Sequence, residues 1–493
     1  MSNVDLRLGD CRDILTELED ASVDSIVTDP PYELAFMGKK WDSSGIAFDV
    51  EMWEQCLRVL KPGGHLLAFG GSRTWHRLTV AIEDAGFEIR DSIAWLYGSG
   101  FPKSLDVSKA IDKQRDDGAD RQAVGAWLRS HREGRGLTQK AIATHWPSAT
   151  GGLTGCVANW ELGLNLPTWD QWLRLKELLS LPDDMDGEVW RLNGRKGEPG
   201  EAWRTAEVLG TEDRMNEPSG VVNVGQGART PVTRLIKAAN SEAARQWQGW
   251  GTALKPAFEP IVVARKPLAG TVAANVLEHG TGALNIDACR IETTDDLNGG
   301  AYAKTGNRTV SGSLSPTGMN VPGKTVGKEF EQPSGRWPTN VALDDTQAAE
   351  LDAQTGTLKS GLMRAGTKRA ARDGAVYGRL DEDATPRDTY ADSGGASRFF
   401  PVFKYQAKAP TKERPSYVNE DGAEVAHSTV KPLTLMRWLA RLVCPPGGVI
   451  LDPFAGSGTT VEACLLEGFD CIAIENEADY IPLIEHRISR STT

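Results

Sequence analysis

Asp452-Pro453-Phe454-Ala455-Gly456-Ser457-Gly458-Thr459-Thr460 stands directly after the apolar run Val449-Ile450-Leu451 and before a helical pattern from Val461 to Leu466. The order is strand, small-residue loop, helix. Ala455, Gly456, Ser457 and Gly458 are small enough for a ligand to approach the backbone. The start of the helix offers free N–H groups to an anion. A second apolar strand, Asp470 to Ile474, ends at Glu475. An acid roughly twenty residues past such a loop is placed to accept hydrogen bonds from ribose hydroxyls. The Gly-Lys-Ser/Thr ending of a phosphate loop and the Gly-x-Gly-x-x-Gly spacing of a nicotinamide site are both missing.

Near the other end, Thr28-Asp29-Pro30-Pro31-Tyr32 follows the apolar run Val23 to Val27. This strand and loop bring together an acid, a rigid Pro-Pro backbone and an aromatic face. Around it, residues 1–118 alternate strand-like and helix-like patterns: strand Val4 to Leu8, helix Cys11 to Leu18, strand Val23 to Thr28, helix Val50 to Leu60, strand His65 to Phe69, helix Trp75 to Ala85, strand Phe87 to Leu96. Lys61-Pro62-Gly63-Gly64 reads as a helix stop. This rhythm predicts an α/β fold with a parallel sheet covered by helices.

The middle differs. Residues 121–182 read as four or five helices, and 183–249 as linker or irregular structure. The sheet pattern returns over 250–292, with Glu259 to Ala264 as a strand. Residues 293–399 read as long loops, a candidate target-recognition region, and 400–493 as the cofactor-binding half. One sheet domain is therefore expected to be split by inserted material.

Composition bounds the rest. A chain of 493 residues calls for two or three domains. No apolar run reaches membrane-spanning length and Met1 to Asp10 has no hydrophobic signal, so a cytoplasmic location in a prokaryotic cell or virus-infected host and no membrane partner are expected. Seven scattered cysteines argue against disulfides and a zinc site. A net charge of −12 does not suggest a nonspecific nucleic-acid coat but leaves room for local basic faces, such as Arg121 to Lys140 or Lys359 to Arg372.

The two loops together resemble the cofactor and catalytic motifs of amino-group DNA methyltransferases. The catalytic motif comes first in the chain, the circular order called the beta class. Leu8-Gly9-Asp10, Leu60 to Gly71, Trp95 to Lys103, Lys255 to Pro267 and His427-Ser428-Thr429-Val430-Lys431-Pro432 resemble further segments of that family, with Ser428 where it usually has Pro. The resemblance implies a Rossmann-like S-adenosylmethionine-dependent sheet. Asp452 to Thr460 and Glu475 would hold the cofactor, with Asp10 on the adenosyl group and His427 and Lys431 flanking its methionine part. Asp29 and the Pro30 carbonyl would accept the hydrogens of an exocyclic amine, Pro31 would stiffen the loop, and Tyr32 would stack on a flipped base. No metal is needed. The leading Asp and the Tyr favour adenine N6; cytosine N4 is the alternative, and an inactive DNA-binding regulator a further one.

Residues 121–182 resemble a helix-turn-helix of the lambda-repressor/Cro type, with Leu137 to Ala143 opening its second helix and Val157 to Gly163 its third. The connection Pro147 to Gly155 is longer than that family's turn. This resemblance implies duplex DNA as partner, with Arg129, Arg132, Lys140, Thr154 and Asn159 as contacts. A homodimer and a cognate restriction endonuclease are further partners in keeping with the methyltransferase resemblance.

Overall fold

The computed structural model describes residues 3–34, 44–98, 100, 104–114, 117–147, 152–194, 198–215, 231–293, 333–359, 372–374, 378–380, 393–403, 414–419, 422, 424–427 and 429–491. Ser428, Phe101 to Lys103, and Arg364, Lys368 and Arg369 of the second basic stretch lie outside them. The chain divides into two compact units. The first takes in Met1–Phe101 and Pro256–Thr493, and the second Pro102–Ser219 and Ala228–Lys255.

The first unit is built on a nine-stranded sheet. Its strands, in chain order, are β1 (Val4–Leu8), β2 (Val23–Thr28), β3 (Leu60–Phe69), β4 (Glu88–Leu96), β5 (Phe258–Arg265), β6 (Val341–Asp344), β7 (Val402–Phe403), β8 (Val449–Asp452) and β9 (Asp470–Glu475). Across the sheet the order is β1-β9-β8-β2-β3-β5-β4-β6-β7. Only β5 runs antiparallel, between β3 and β4. The ends of the chain meet directly, with Val4 to Leu8 in register with Cys471 to Glu475.

Side chains alternate across the strands, as the pleat requires. Val27, Leu67, Phe69 and Ile450 face one buried cluster, shared with helix α14 (Leu433–Val443) and α15 (Thr459–Glu467). Ile26, Leu66, Ala68 and Leu451 face the other, shared with α1 (Cys11–Glu17), α2 (Val50–Val59) and α3 (Trp75–Asp84). The central strands are therefore apolar on both faces, the mark of a parallel sheet buried between helix layers. Asp49 caps α2 by accepting from the N–H groups of Glu51 and Met52. The helix ends at Val59, and β3 begins at once. Lys61-Pro62-Gly63-Gly64, expected as a stop, lies inside the strand, where the register against β2 shifts between Val23 and Ser25. A Cβ on Gly64 would sit 2.8 Å from the Asp24 carbonyl oxygen.

The second unit begins earlier than expected. Helix α4 (Val107–Lys113) belongs to it rather than to 1–118, because buried Asp112 accepts from the backbone N–H groups of Asn240 (2.8 Å) and Ser241 (3.1 Å). Four helices fill the stretch with the repressor resemblance: α5 (Gly118–Gly134), α6 (Gln139–Ala143), α7 (Cys156–Glu161) and α8 (Trp169–Leu179). They share a core of Val124, Leu128, Ile142, Val157, Trp160, Trp172 and Leu175. Thr138 caps α6, and Thr168 with Gln171 forms a capping box on α8.

Residues 183–249, expected to be irregular, carry α9 (Asp186–Gly194), α10 (Glu201–Thr205), a hairpin of Val208–Met215 with Pro231–Lys237, and α11 (Glu242–Gln246). The hairpin leaves Val208 half exposed and Leu209 more so, so it has little apolar alternation to read. Helix α12 (Val272–His279) follows β5, and within 293–399 β6 extends the sheet beyond β4 and leads into helix α13 (Asp345–Thr355). Strand β7 lies at that same far edge, away from β8 and β9.

Candidate active site

Strands β8 and β2 are parallel neighbours, with Ile450 and Leu451 in register with Ser25 and Ile26. From β8 the sheet runs outward to β9 and β1, and from β2 outward to β3, so the two strands flank a topological switch point. The loops that leave their carboxyl ends border the crevice where open α/β sheets bind ligands. The loops are joined at the base: buried Thr28 donates from Oγ1 to Asp452 Oδ1 at 2.7 Å.

The Asp452 loop is shaped by two left-handed residues, Gly456 (φ 53°) and Gly458 (φ 77°). A Cβ on Gly458 would lie 3.0 Å from Ile484 Cγ2 and 3.1 Å from its Cα, and one on Gly456 would lie 3.2 Å from His427 Nε2. Glycine is required twice over, by conformation and by space. Glu475 closes the loop, accepting from the Gly456 N–H at 2.7 Å and the Glu477 N–H at 2.9 Å. Burial pushes the Glu475 carboxyl up to about 7 against those two bonds. Burial likewise lifts Asp452 to about 6, opposed by bonds from Thr28, Thr460 and the Phe454 N–H. Ser457 and Thr459 share a buried hydroxyl contact of 3.3 Å, Pro453 is buried, and Phe454 packs partly against the second core cluster.

His427 lies edge-on to Tyr480 with ring centroids 4.8 Å apart, and its Nδ1 is 2.7 Å from the Thr429 carbonyl oxygen. Burial lowers its pKa to about 4. Asp10 lies beside this region, since the Gly9 N–H donates to the Glu475 carbonyl at 2.9 Å. Its carboxylate caps α1 and is paired with Arg12, whose hydrogen bonds hold its pKa below the usual carboxylate value.

The Asp29 loop is pinned by Thr74, which donates from Oγ1 to the Tyr32 carbonyl at 2.8 Å. Pro30 is buried and Pro31 half-buried. Lys431, expected beside the methionine end of a cofactor, lies 2.9 Å from Asp29 Oδ2 and 3.1 Å from Glu259 Oε2. It also donates to the Tyr32 hydroxyl at 2.9 Å, and that hydroxyl donates to Glu259 Oε2 at 3.1 Å. Burial would lower the Lys431 pKa, but the two carboxylates override it and hold the ammonium charged. Burial raises the Asp29 carboxyl, with Lys431 pulling the other way. The Tyr32 hydroxyl rises well above its ordinary value through burial, then through the charges of Asp29 and Glu259. Among the described residues, buried Asp29 Oδ1 has no hydrogen-bond partner. Glu259 was missed as a site residue; the available signal was one acid at the head of an otherwise apolar strand.

The candidate DNA contacts divide. Lys140 is exposed, Arg129 is 43% exposed, and Asn159 is half-buried. Arg132 is not available to DNA: it is buried, donating to Glu161 Oε1 at 2.5 Å and Oε2 at 3.0 Å and to the Leu137 carbonyl at 2.7 Å. The Thr154 hydroxyl donates to the Trp146 carbonyl at 2.8 Å, which occupies its proton within the unit.

The family described as N6/N4 DNA methylase matches residues 23–113 and 237–486, more than two thirds of the chain. The chain belongs to the N6/N4 DNA methylase family. The match breaks off over residues 114–236, within the stretch that carries the second unit. The Type II methyltransferase M.HpaI of Haemophilus parainfluenzae is 34% identical over 107 residues, 20% of this chain and 33% of that protein. The Type II methyltransferase M.HinfI of Haemophilus influenzae is 38% identical over 77 residues, 16% of this chain and 21% of that protein. The chain thus spans a third or less of these relatives. Among solved structures, the M1.HpyAVI–SAM complex aligns at TM-score 0.32 and 12% identity, covering 98% of both chains. The cytosine-N4-specific PvuII DNA methyltransferase aligns at TM-score 0.37 and 10% identity, covering 100% of this chain and 91% of that one.

Proposed function

We propose that this family member methylates the exocyclic amine of a flipped base in duplex DNA, adenine N6, at a specific site. The observation that carries the reading is the junction of the two loops on neighbouring strands through the Thr28–Asp452 hydrogen bond of 2.7 Å. It sets an amine-binding carboxylate beside a glycine-shaped ligand loop.

The residues present fit S-adenosylmethionine. The Gly456–Gly458 cradle would be filled by any Cβ, and Glu475 is a buried acceptor at the end of β9. Asp452 to Thr460, Glu475 and His427 would hold the cofactor, which supplies an electrophilic methyl group on a sulfonium. Asp10 is a weaker candidate because Arg12 occupies it.

An exocyclic amine is a poor nucleophile while its lone pair is delocalised into the ring. Asp29 accepts one amine hydrogen and the Pro30 carbonyl the other, which draws the lone pair out of the ring plane and toward the methyl carbon. When bound, the cofactor would supply the methyl group, and the amine, held by Asp29 and the Pro30 carbonyl, would give up one proton to solvent as it takes that group. The leading Asp and the Tyr of the loop support adenine. Arg129, Lys140 and Asn159 remain candidate contacts to DNA, residues 293–399 a candidate recognition region, and a second copy and a cognate restriction endonuclease candidate partners.

The test is incubation with methyl-labelled S-adenosylmethionine and unmethylated duplex DNA, followed by digestion to nucleosides. Labelled N6-methyladenine is expected. Labelled N4-methylcytosine would overturn the base assignment, and unlabelled DNA with cofactor still bound would overturn the activity.

A further inference from the structure

The three N–H donors of Lys431 have three acceptors: Asp29 Oδ2 (2.9 Å), the Tyr32 hydroxyl (2.9 Å) and Glu259 Oε2 (3.1 Å). The ammonium also sits over the rings of Tyr32 and Phe69, 5.0 and 4.8 Å from their centroids. These partners come from the loop after β2, from β3 and from β5, so the lysine, itself in the segment before α14, ties three other parts of the fold together at one carboxylate. The other oxygen of that carboxylate, Asp29 Oδ1, is buried with no hydrogen-bond partner among the described residues. A buried acceptor without a partner is expensive and uncommon, and in a reactive site it marks where a donor arrives.

We propose that Lys431 is a positioning residue of the catalytic loop: by holding Asp29 Oδ2 against Tyr32 and Glu259, it fixes the carboxylate so that Oδ1 alone receives the target amine. This rests on the methyltransferase reading above and reassigns Lys431 away from the cofactor.

The charges give the arrangement a second consequence. Asp29, Glu259 and Lys431 together carry one net negative charge. As the methyl group moves, positive charge passes from sulfur to the amine nitrogen, and a site of net negative charge favours that transfer. Among the described residues, the charged and titratable groups facing Asp29 are Lys431, Glu259, Tyr32 and Asp452. Lys431 is the cation of this set. Without it, two part-buried carboxylates would face each other, and one would retain a proton to higher pH. Protonated Asp29 is a poorer acceptor for the amine.

The experiment compares wild type, Lys431→Met, Glu259→Gln and the double variant. Single-turnover methylation of duplex DNA is followed against pH, cofactor affinity by calorimetry, and folding by circular dichroism. Lys431→Met should slow transfer by about a hundredfold or more at pH 7 and move the acid limb of the profile up by about one pH unit or more. The double variant retains a single carboxylate, so its acid limb should return toward wild type and its rate should exceed that of Lys431→Met. Glu259→Gln alone should slow transfer without raising the limb. S-adenosylmethionine affinity should stay within about threefold throughout. If Lys431→Met is folded but inactive, measurable turnover in the double variant supports the proposal and its absence overturns it. An unmoved acid limb with cofactor affinity lost about tenfold or more would overturn it and make Lys431 a cofactor ligand. A wild-type protein silent on all duplex DNA would instead sink the methyltransferase reading itself.

Discussion

Replacing Glu475 by Gln should stabilise the sheet unit while weakening its cofactor site, and the stabilisation should depend on pH. Glu475 is 8% exposed, and burial lifts its carboxyl from 4.5 to about 7. The folded chain then holds this proton more tightly than the unfolded chain, so stability falls as the pH rises. The penalty is absent well below pH 4.5, grows between 4.5 and about 7, and is complete above that. A shift of this size corresponds to about 3 kcal/mol, at about 1.4 kcal/mol per pH unit. Glutamine removes the charge, but its one carbonyl oxygen cannot serve both the Gly456 and Glu477 N–H groups as the carboxylate does. Losing one such bond returns about 1 kcal/mol. The variant should therefore gain about 2 kcal/mol at pH 8, and the gain should fade to about zero near pH 5. Thermal unfolding of both proteins from pH 5 to 8 measures this directly. A difference in Tm that does not change with pH would refute the argument that burying the charge dominates. Calorimetry at pH 8 should show S-adenosylmethionine binding weakened by about ten- to a hundredfold, the effect of one or two lost bonds to a charged acceptor.

Asp29→Ala should lower methyl transfer to duplex DNA by at least about a hundredfold while cofactor affinity, read by calorimetry, stays within about threefold. Thr28→Val removes the buried donor to Asp452 and should cost about 1–3 kcal/mol in chemical denaturation, with the carboxyl of Asp452 driven above about 6. Arg132→Met removes the closest charged partner of the buried Glu161, leaving Gln139 at 2.7 Å and Arg129 at 3.6 Å, and should destabilise the helical unit by about 1.5–3 kcal/mol. By contrast, neutralising half-exposed Arg129, 3.6 Å from Glu161, and exposed Lys140 together should cost about 1 kcal/mol or less in unfolding and reduce the salt dependence of DNA binding by about two in log–log slope. An unchanged slope would remove both from the interface.

Much of the sheet was legible because its signals are local. Val23–Thr28 and Val4–Leu8 carry apolar runs bounded by turn residues, and their limits in the structure agree with those read from the sequence. The two loops were legible because glycine at 456 and 458 and the Asp-Pro-Pro-Tyr string each answer to a local geometric demand. The positions of Lys431 and Glu259 were not legible. They reach Asp29 only because the order of strands brings β5 to the far side of β3 from β2 and α14 onto the same sheet face, and no local spacing encodes that. Arg132 was misread for a related reason. In sequence it belongs to a basic stretch; in the structure Glu161, on another helix, neutralises it. A charge run does not show which of its members already has a partner.

The place of the second unit follows from the one antiparallel strand. Leu96 at the end of β4 is in register with Phe258 at the start of β5, so the chain leaves and re-enters the sheet one strand spacing apart. That is the geometry of a hairpin, and everything between these residues occupies its loop. An independently packed unit can be inserted there without disturbing a single pairing of the sheet, provided its own ends lie close together. The second unit meets this condition near its ends: the Leu105 N–H donates to Thr252 Oγ1 at 2.9 Å, and Asp106 bridges Gly251. The break in the family match over residues 114–236 falls within this loop. The match takes in strands β2 to β9 and both loops, while the four helices with the repressor resemblance lie outside it.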